Sequence, residues 1–266
     1  MKKIGLIGLG FIGNTIIDAV VDGTIENAVI QAVYDIDKGI MDSINKKYPA
    51  FRLMKDATDF QDCDIIVECA VQQVVAEIFD TVVKNEKYFI PMSIGAFITI
   101  DSLYSKFQSL DKTSKSRIFL SSGAIGGFDC IESIKTDKIV SAKLQTRKPN
   151  KVFEESSYVI ENNIKLSETT PVTVFEGNAK QAATNFPRSV NVAARLALST
   201  LGPEGTLVEI IADPAISQNI HSVAIESEIG KYKFKFENNP SPTNPKTSWL
   251  AALSAINTIN RIKIGE

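Results

Sequence analysis

Ile4-Gly5-Leu6-Ile7-Gly8-Leu9-Gly10-Phe11-Ile12-Gly13 is an apolar strand running straight into Gly8-x-Gly10-x-x-Gly13. An amphipathic segment with Ile16, Ile17, Ala19 and Val20 follows, so strand, glycine turn and helix come in the order of a dinucleotide-binding unit. Each glycine has a physical reason. Gly8 lets the chain turn tightly, Gly10 lets a pyrophosphate approach the backbone, and Gly13 lets helix and strand pack closely. The helix start, at Phe11 and Ile12, offers backbone N–H groups and the positive end of a dipole to phosphate. A second apolar run, Val29 to Tyr34, ends in Asp35, 22 residues after Gly13. That is where a carboxylate for an adenosine ribose is expected. Gly8, Gly10, Phe11, Ile12, Gly13 and Asp35 are therefore candidate cofactor contacts in a Rossmann domain.

Strand and helix patterns keep alternating beyond this point. Residues 37–48 suit a helix, 64–70 a buried strand, 71–83 a helix, 88–93 a strand, 100–110 a helix and 117–122 a further strand. Such alternation predicts a parallel, doubly wound sheet, whose sites lie at the carboxyl ends of its strands. Glu68-Cys69-Ala70, Ser93-Ile94-Gly95 and Ser122-Gly123-Ala124 are three such ends, and Ala70 and Ala124 join the candidate cofactor contacts. The character then changes. Residues 138–148 alternate with Val140, Ala142 and Leu144 on one face, and residues 206–213 read as another strand. Residues 219–228 and 231–237 read as a hairpin around Gly230, with Tyr232, Phe234 and Phe236 inward and Lys231, Lys233 and Lys235 in water. This is the mark of a sheet with one solvated face. An apolar helix is expected from Phe186 to Leu201, with Pro187 in its first turn and Gly202 ending it. Another is expected from Pro245 to about Ile262, capped by Asn244. The fold class is thus α/β: a doubly wound amino-terminal domain over 1–125, an α+β domain with a mixed or antiparallel sheet over 126–245, and a carboxyl-terminal helix in 246–266 returning to the first domain.

The 266 residues carry a net charge of −2 and are 44% hydrophobic, with no basic block. That balance argues against nucleic acid or an anionic membrane as partner. No apolar run is long enough to span a bilayer. The first strand begins at the amino terminus, so no signal peptide is expected. Cys63, Cys69 and Cys130 form no Cys-x-x-Cys pair and read as reduced core thiols of a cytoplasmic protein.

His221 is the single histidine. A histidine-based metal site is thereby all but excluded, and no metal is expected. A lone histidine is by default structural. Two features weigh for chemistry: it titrates near neutrality unperturbed, and it falls in the domain expected to carry substrate groups. Asn191, in the first turns of an apolar helix, is equally well a hydrogen-bonded amide or a partner for substrate or nicotinamide carboxamide. The Pro-rich run to Ser248 is either a rigid connector or an anion site made of Lys246, Thr247, Ser248 and backbone N–H groups.

Several segments together resemble the L-aspartate dehydrogenase family. They are Gly8-x-Gly10-x-x-Gly13, Ser121-Ser-Gly-Ala-Ile-Gly-Gly127, Asn185-Phe-Pro-Arg-Ser-Val-Asn-Val-Ala-Ala194, Ile211-Ala-Asp-Pro214 with Asn219-Ile-His221, and Pro240-Ser-Pro-x-Asn-Pro-Lys-Thr-Ser248 before Leu250-Ala-Ala-Leu-Ser-Ala255. The resemblance covers nearly the whole chain. It implies that His221 is catalytic and that Ala124 and Asn191 contact NAD. It implies L-aspartate as substrate, oxidised with NAD or NADP to iminoaspartate and on to oxaloacetate and ammonia, by a homodimer supplying quinolinate synthesis for de novo NAD formation. Other two-domain reductases, homoserine-dehydrogenase-like or dihydrodipicolinate-reductase-like, share the fold expectation, as does a non-catalytic NAD(H) sensor. A sensor would lack an acid/base or add a DNA-binding element, and this chain has His221 and no basic helix-turn-helix.

Overall fold

The computed structural model describes residues 1–187, 190–239, 241 and 248–264. The chain divides into two compact units, Met1–Ser121 with Ala252–Glu266, and Ser122–Ala251.

The first unit is built on five parallel strands: β1 (Lys2–Ile7), β2 (Ala28–Tyr34), β3 (Arg52–Leu53), β4 (Ile65–Glu68) and β5 (Tyr88–Pro91). Their order, β3-β2-β1-β4-β5, places β1 at the centre. Its side chains Ile4 and Leu6 are wholly buried, as are Ile65, Ile66 and Val67 of β4. That is why these strands read as continuous apolar runs, the signature of a parallel sheet covered on both faces. Each such side chain stabilises by roughly 1.5–3 kcal/mol when fully buried. The helix Trp249–Arg261 closes this core with Ala255, Ile256 and Ile259, and Ile262 follows just beyond it. The Lys2 ammonium donates to the carbonyls of Ile259 and Asn260 at 2.9 and 3.1 Å, where the end of a helix favours a cation.

Residues 117–122 depart from expectation. They supply one parallel rung, Phe89 against Ile118, with the Phe89 N–H donating to Arg117 and the Phe119 N–H to Phe89, each at 2.8 Å. The polar Ser121-Ser122-Gly123 run follows at once and ends the pairing before a strand forms.

The second unit carries a mixed sheet in the order β10-β9-β6-β8-β7. Its strands are β6 (Ile139–Lys148), β7 (Val172–Asn178), β8 (Thr206–Ala212), β9 (Asn219–Ser227) and β10 (Gly230–Asn238). β6 and β8 run parallel and the other neighbours antiparallel. The single long helix expected over 186–201 is corrected. A helix capped by the reciprocal Asn178–Gln181 pair covers Ala179–Asn185, and a second covers Asn191–Ser199. Pro187 explains the break, because a proline pushes the residue before it out of helical geometry. Phe186 accordingly has φ −131° and ψ 59°. Gly202, at φ +79°, opens a short helix to Gly205 and does not end the long one.

Candidate active site

In the first unit the glycine turn follows β1. Gly8 adopts φ +92°, and a Cβ there would lie 2.6–2.7 Å from the Cys69 and Ala70 backbone. A Cβ on Gly13 would sit 2.1 Å from the Gly8 carbonyl oxygen. Both positions demand glycine for packing. A Cβ on Gly10 would meet nothing within 4 Å, so this glycine leaves open space where the backbone can be approached. Gly10 is the N-cap of the helix Phe11–Val21, no side chain caps that helix, and its first turn holds no acidic residue. This cradle fits a pyrophosphate in both space and charge. The Asn14 amide pins the carbonyls of Leu9 and Gly10.

Asp35 stands one residue past β2. Its carboxylate accepts from the Leu9 N–H at 2.7 Å and the Asp37 N–H at 3.0 Å, which fixes it beside the turn. At the end of β4, Glu68 is wholly buried. It accepts from the Ala70 N–H at 2.7 Å, and from the Ser93 N–H and hydroxyl at 3.0 and 2.8 Å. Burial pushes its carboxyl up to about 7, against the pull of those hydrogen bonds. Glu68 thus ties together two of the expected strand ends.

In the second unit, Ser122–Gly127 is a packing turn. A Cβ on Gly127 would lie 2.8 Å from the Phe234 ring and one on Gly126 3.4 Å from Phe236. The Asn238 amide donates to the Ala124 carbonyl at 2.7 Å, holding this turn to the end of β10.

His221 lies on β9, paired with Thr146 of β6 on one side and Phe236 of β10 on the other. It is 3% exposed, and its Nδ1 is 3.0 Å from the Thr146 hydroxyl. Lys148 is two residues beyond Thr146 and is also buried. The period of two puts Thr146 and Lys148 on one face of β6. Burial lowers the Lys148 ammonium to about 8. Burial, and then the Lys148 charge, push the His221 imidazole down to about 3, so it is neutral at physiological pH. Lys148 also lines a cleft of about 500 Å³ with Phe153, Tyr158, Asn185 and Phe186. The rings of Phe153 and Tyr158 pack on Phe186 at 6.4 and 5.0 Å.

Sequence reasoning missed Lys148. The signal was present: continuing the Ala142–Leu144 alternation puts Thr146 and Lys148 on the buried face. The other expected contacts fare differently. Asn191 is the exposed first residue of its helix. Ser248 is buried, its hydroxyl accepting from the Leu250 N–H at 3.2 Å and its carbonyl from the Ala251 N–H at 3.1 Å, the pattern of a helix start. Lys246 and Thr247 lie outside the described residues, as do Asn244 and Pro245.

Residues 129–262 match the family model described as aspartate dehydrogenase, C-terminal, and residues 8–121 match that of the homoserine dehydrogenase NAD-binding domain. The chain is 40% identical to an L-aspartate dehydrogenase of Methanosarcina mazei, over 98% of this chain and 97% of that protein. The crystal structure of aspartate dehydrogenase from Thermotoga maritima superposes with a TM-score of 0.76 at 31% identity, covering all of both chains. A myo-inositol dehydrogenase of Lactobacillus casei shares the fold alone, at TM-score 0.52 and 13% identity over 97% of this chain and 83% of that one. With a glycine cradle shaped for a dinucleotide and a buried histidine on a mixed sheet, 40% identity along nearly the whole of both chains settles the relationship: the chain belongs to the L-aspartate dehydrogenase family.

Proposed function

We propose that this chain oxidises L-aspartate with NAD or NADP to iminoaspartate, which water converts to oxaloacetate and ammonia. One observation carries the reading. The only histidine in the chain is buried on the sheet of the unit that matches the aspartate dehydrogenase model, fixed by Thr146 and next to Lys148.

Gly8, Gly10, Gly13 and the backbone at Phe11 and Ile12 hold the pyrophosphate, and Asp35 receives the adenosine ribose. Ala70, Ala124 and Asn191 serve the nicotinamide half. When bound, NAD accepts the hydride that leaves the aspartate Cα. The protein moves the protons. With Nδ1–H donated to Thr146, the His221 Nε2 keeps its lone pair and takes a proton from the substrate ammonium, so that the nitrogen electrons can form the imine as hydride departs. After that proton has passed to solvent, the same atom takes a proton from the attacking water and returns it to the departing amine, which leaves as ammonia. Holding substrate and cofactor in register supplies much of the acceleration.

The resemblance extends the reading to a cytoplasmic homodimer whose iminoaspartate feeds quinolinate synthesis. No described helix is long and apolar enough to cross a membrane. The match of residues 8–121 is to the NAD-binding domain of homoserine dehydrogenase and concerns the cofactor half, so a homoserine-dehydrogenase-like reductase is the rival reading on fold alone. A Rossmann unit is shared by many dehydrogenases and does not choose between them.

The test is NADH absorbance with NAD and a panel of amino acids. Aspartate is expected to give the fastest NADH formation. Silence with aspartate and turnover of homoserine would overturn the reading.

A further inference from the structure

The second unit contains a buried cation that nothing in the reaction above uses. Lys148 is 6% exposed at the end of β6 and lines the cleft of about 500 Å³. It is the only cationic side chain among the described residues lining that cleft. The walls beside it are the rings of Phe153, Tyr158 and Phe186, with the Asn185 amide among them. Glu155 and Glu161 also line the cleft, but both are exposed to solvent at its rim, where their charge is screened. The volume is within the range of small-molecule sites and is ample for a four-carbon acid.

An ammonium on the wall of a small-molecule cleft offers a point charge and several N–H donors to an anionic ligand, alongside whatever else it touches. Aromatic walls lower the local dielectric, so a carboxylate reaching this ammonium makes a stronger, charge-assisted hydrogen bond than it would in water. The same lysine is close enough to His221 for its charge to act on the imidazole. A group seated on Lys148 is therefore near the histidine assigned to proton transfer.

We propose that Lys148 is a substrate-binding residue that receives one carboxylate of a dicarboxylic substrate in this cleft. The proposal rests on the aspartate reading for the identity of the substrate, and on the cleft for the anchor. It has a chemical consequence for His221. A carboxylate on Lys148 offsets the positive charge that disfavours imidazolium, so substrate binding itself makes His221 a better base.

The experiment measures succinate binding by calorimetry to the NADH-loaded protein, alongside aspartate kinetics, for the parent, Lys148→Met and Lys148→Gln. Succinate has both carboxylates and no amine to oxidise. The parent is expected to bind succinate. Both variants are expected to lose at least about tenfold in succinate affinity and to raise the KM for aspartate similarly, roughly the contribution of one charged hydrogen bond. The KM for NAD should stay within about twofold. Lys148→Met removes a buried charge and is expected to fold at least as stably, and Lys148→Gln keeps a polar group there should methionine disturb the sheet. A parent that binds no succinate, or variants that bind it like the parent, would overturn the proposal. A parent that binds succinate through Lys148 yet leaves aspartate unoxidised would uphold the anchor and sink the aspartate reading instead.

Discussion

His221 shows how far a strand can move a side chain from its solution chemistry. Free imidazole titrates near 6.5, whereas here burial and Lys148 take it to about 3. The sign follows from linkage. Between about 6.5 and 3 the unfolded chain binds the proton that the folded chain refuses, so stability from this site is complete above 6.5 and is lost as pH falls towards 3. Because the chain has one histidine, its ring Hε1 proton gives a single, assignable NMR signal. In the substrate-free protein that signal should not titrate between pH 8 and 5, and a midpoint near 6.5 would mean the ring is solvated. His221→Ala should lower kcat for aspartate by roughly 10²-fold or more, the usual scale of general acid–base catalysis, with NADH affinity unchanged. Steady-state rates and an NADH fluorescence titration check the two halves. At this scale the sequence was partly legible. His221 stood out because it was alone, and Asp35 because of its distance from Gly13. Lys148 did not stand out, because a lysine at the end of an alternating strand looks like any other until the alternation is followed to its last residue.

At the scale of elements, the glycine turn offers a clean separation of packing from binding. Gly13→Ala forces a methyl against the Gly8 carbonyl at 2.1 Å. Backbone must move, and a cost of about 1–3 kcal/mol or more is expected, read as a lower melting temperature. Gly10→Ala meets open space at φ −73° and ψ −156°, which alanine tolerates. It should melt like the parent while losing roughly tenfold or more in NAD affinity, because the methyl occupies the pyrophosphate approach. Equal losses of stability for the two variants would show that the turn is a structural device only. Elements that announce themselves by period were read well: the buried strands of the first sheet and the β9–β10 hairpin. Two kinds were not. Residues 117–122 have a strand's composition but find one rung of pairing, and pairing is a property of neighbours, not of composition. Residues 186–201 have a helix's composition, but Pro187 excludes Phe186 from the helix. β7 was not anticipated at all: Pro171 precedes it and a bulge between Thr173 and Phe175 spoils its alternation.

For the whole molecule, the two units divide the work of a dehydrogenase. The parallel sheet supplies a general dinucleotide cradle, which is why its match is to a homoserine dehydrogenase domain and says little about substrate. The second unit supplies His221 and Lys148 from its mixed sheet and the aromatic cleft from the helices beside it, and there the match is to aspartate dehydrogenase. The doubly wound class was legible in the alternation of elements, and the change to a one-sided sheet in the lysines of β10. Substrate was not legible from pattern, because it depends on which side chains a second sheet brings to one face. The most direct test is therefore kcat/KM for L-aspartate against L-asparagine with NAD. The two differ in the charge of one side-chain group and hardly at all in size. Aspartate should lead by at least about tenfold, as expected for a site built around a charged partner. Equal values, or a lead for asparagine, would contradict a dicarboxylate site in this chain.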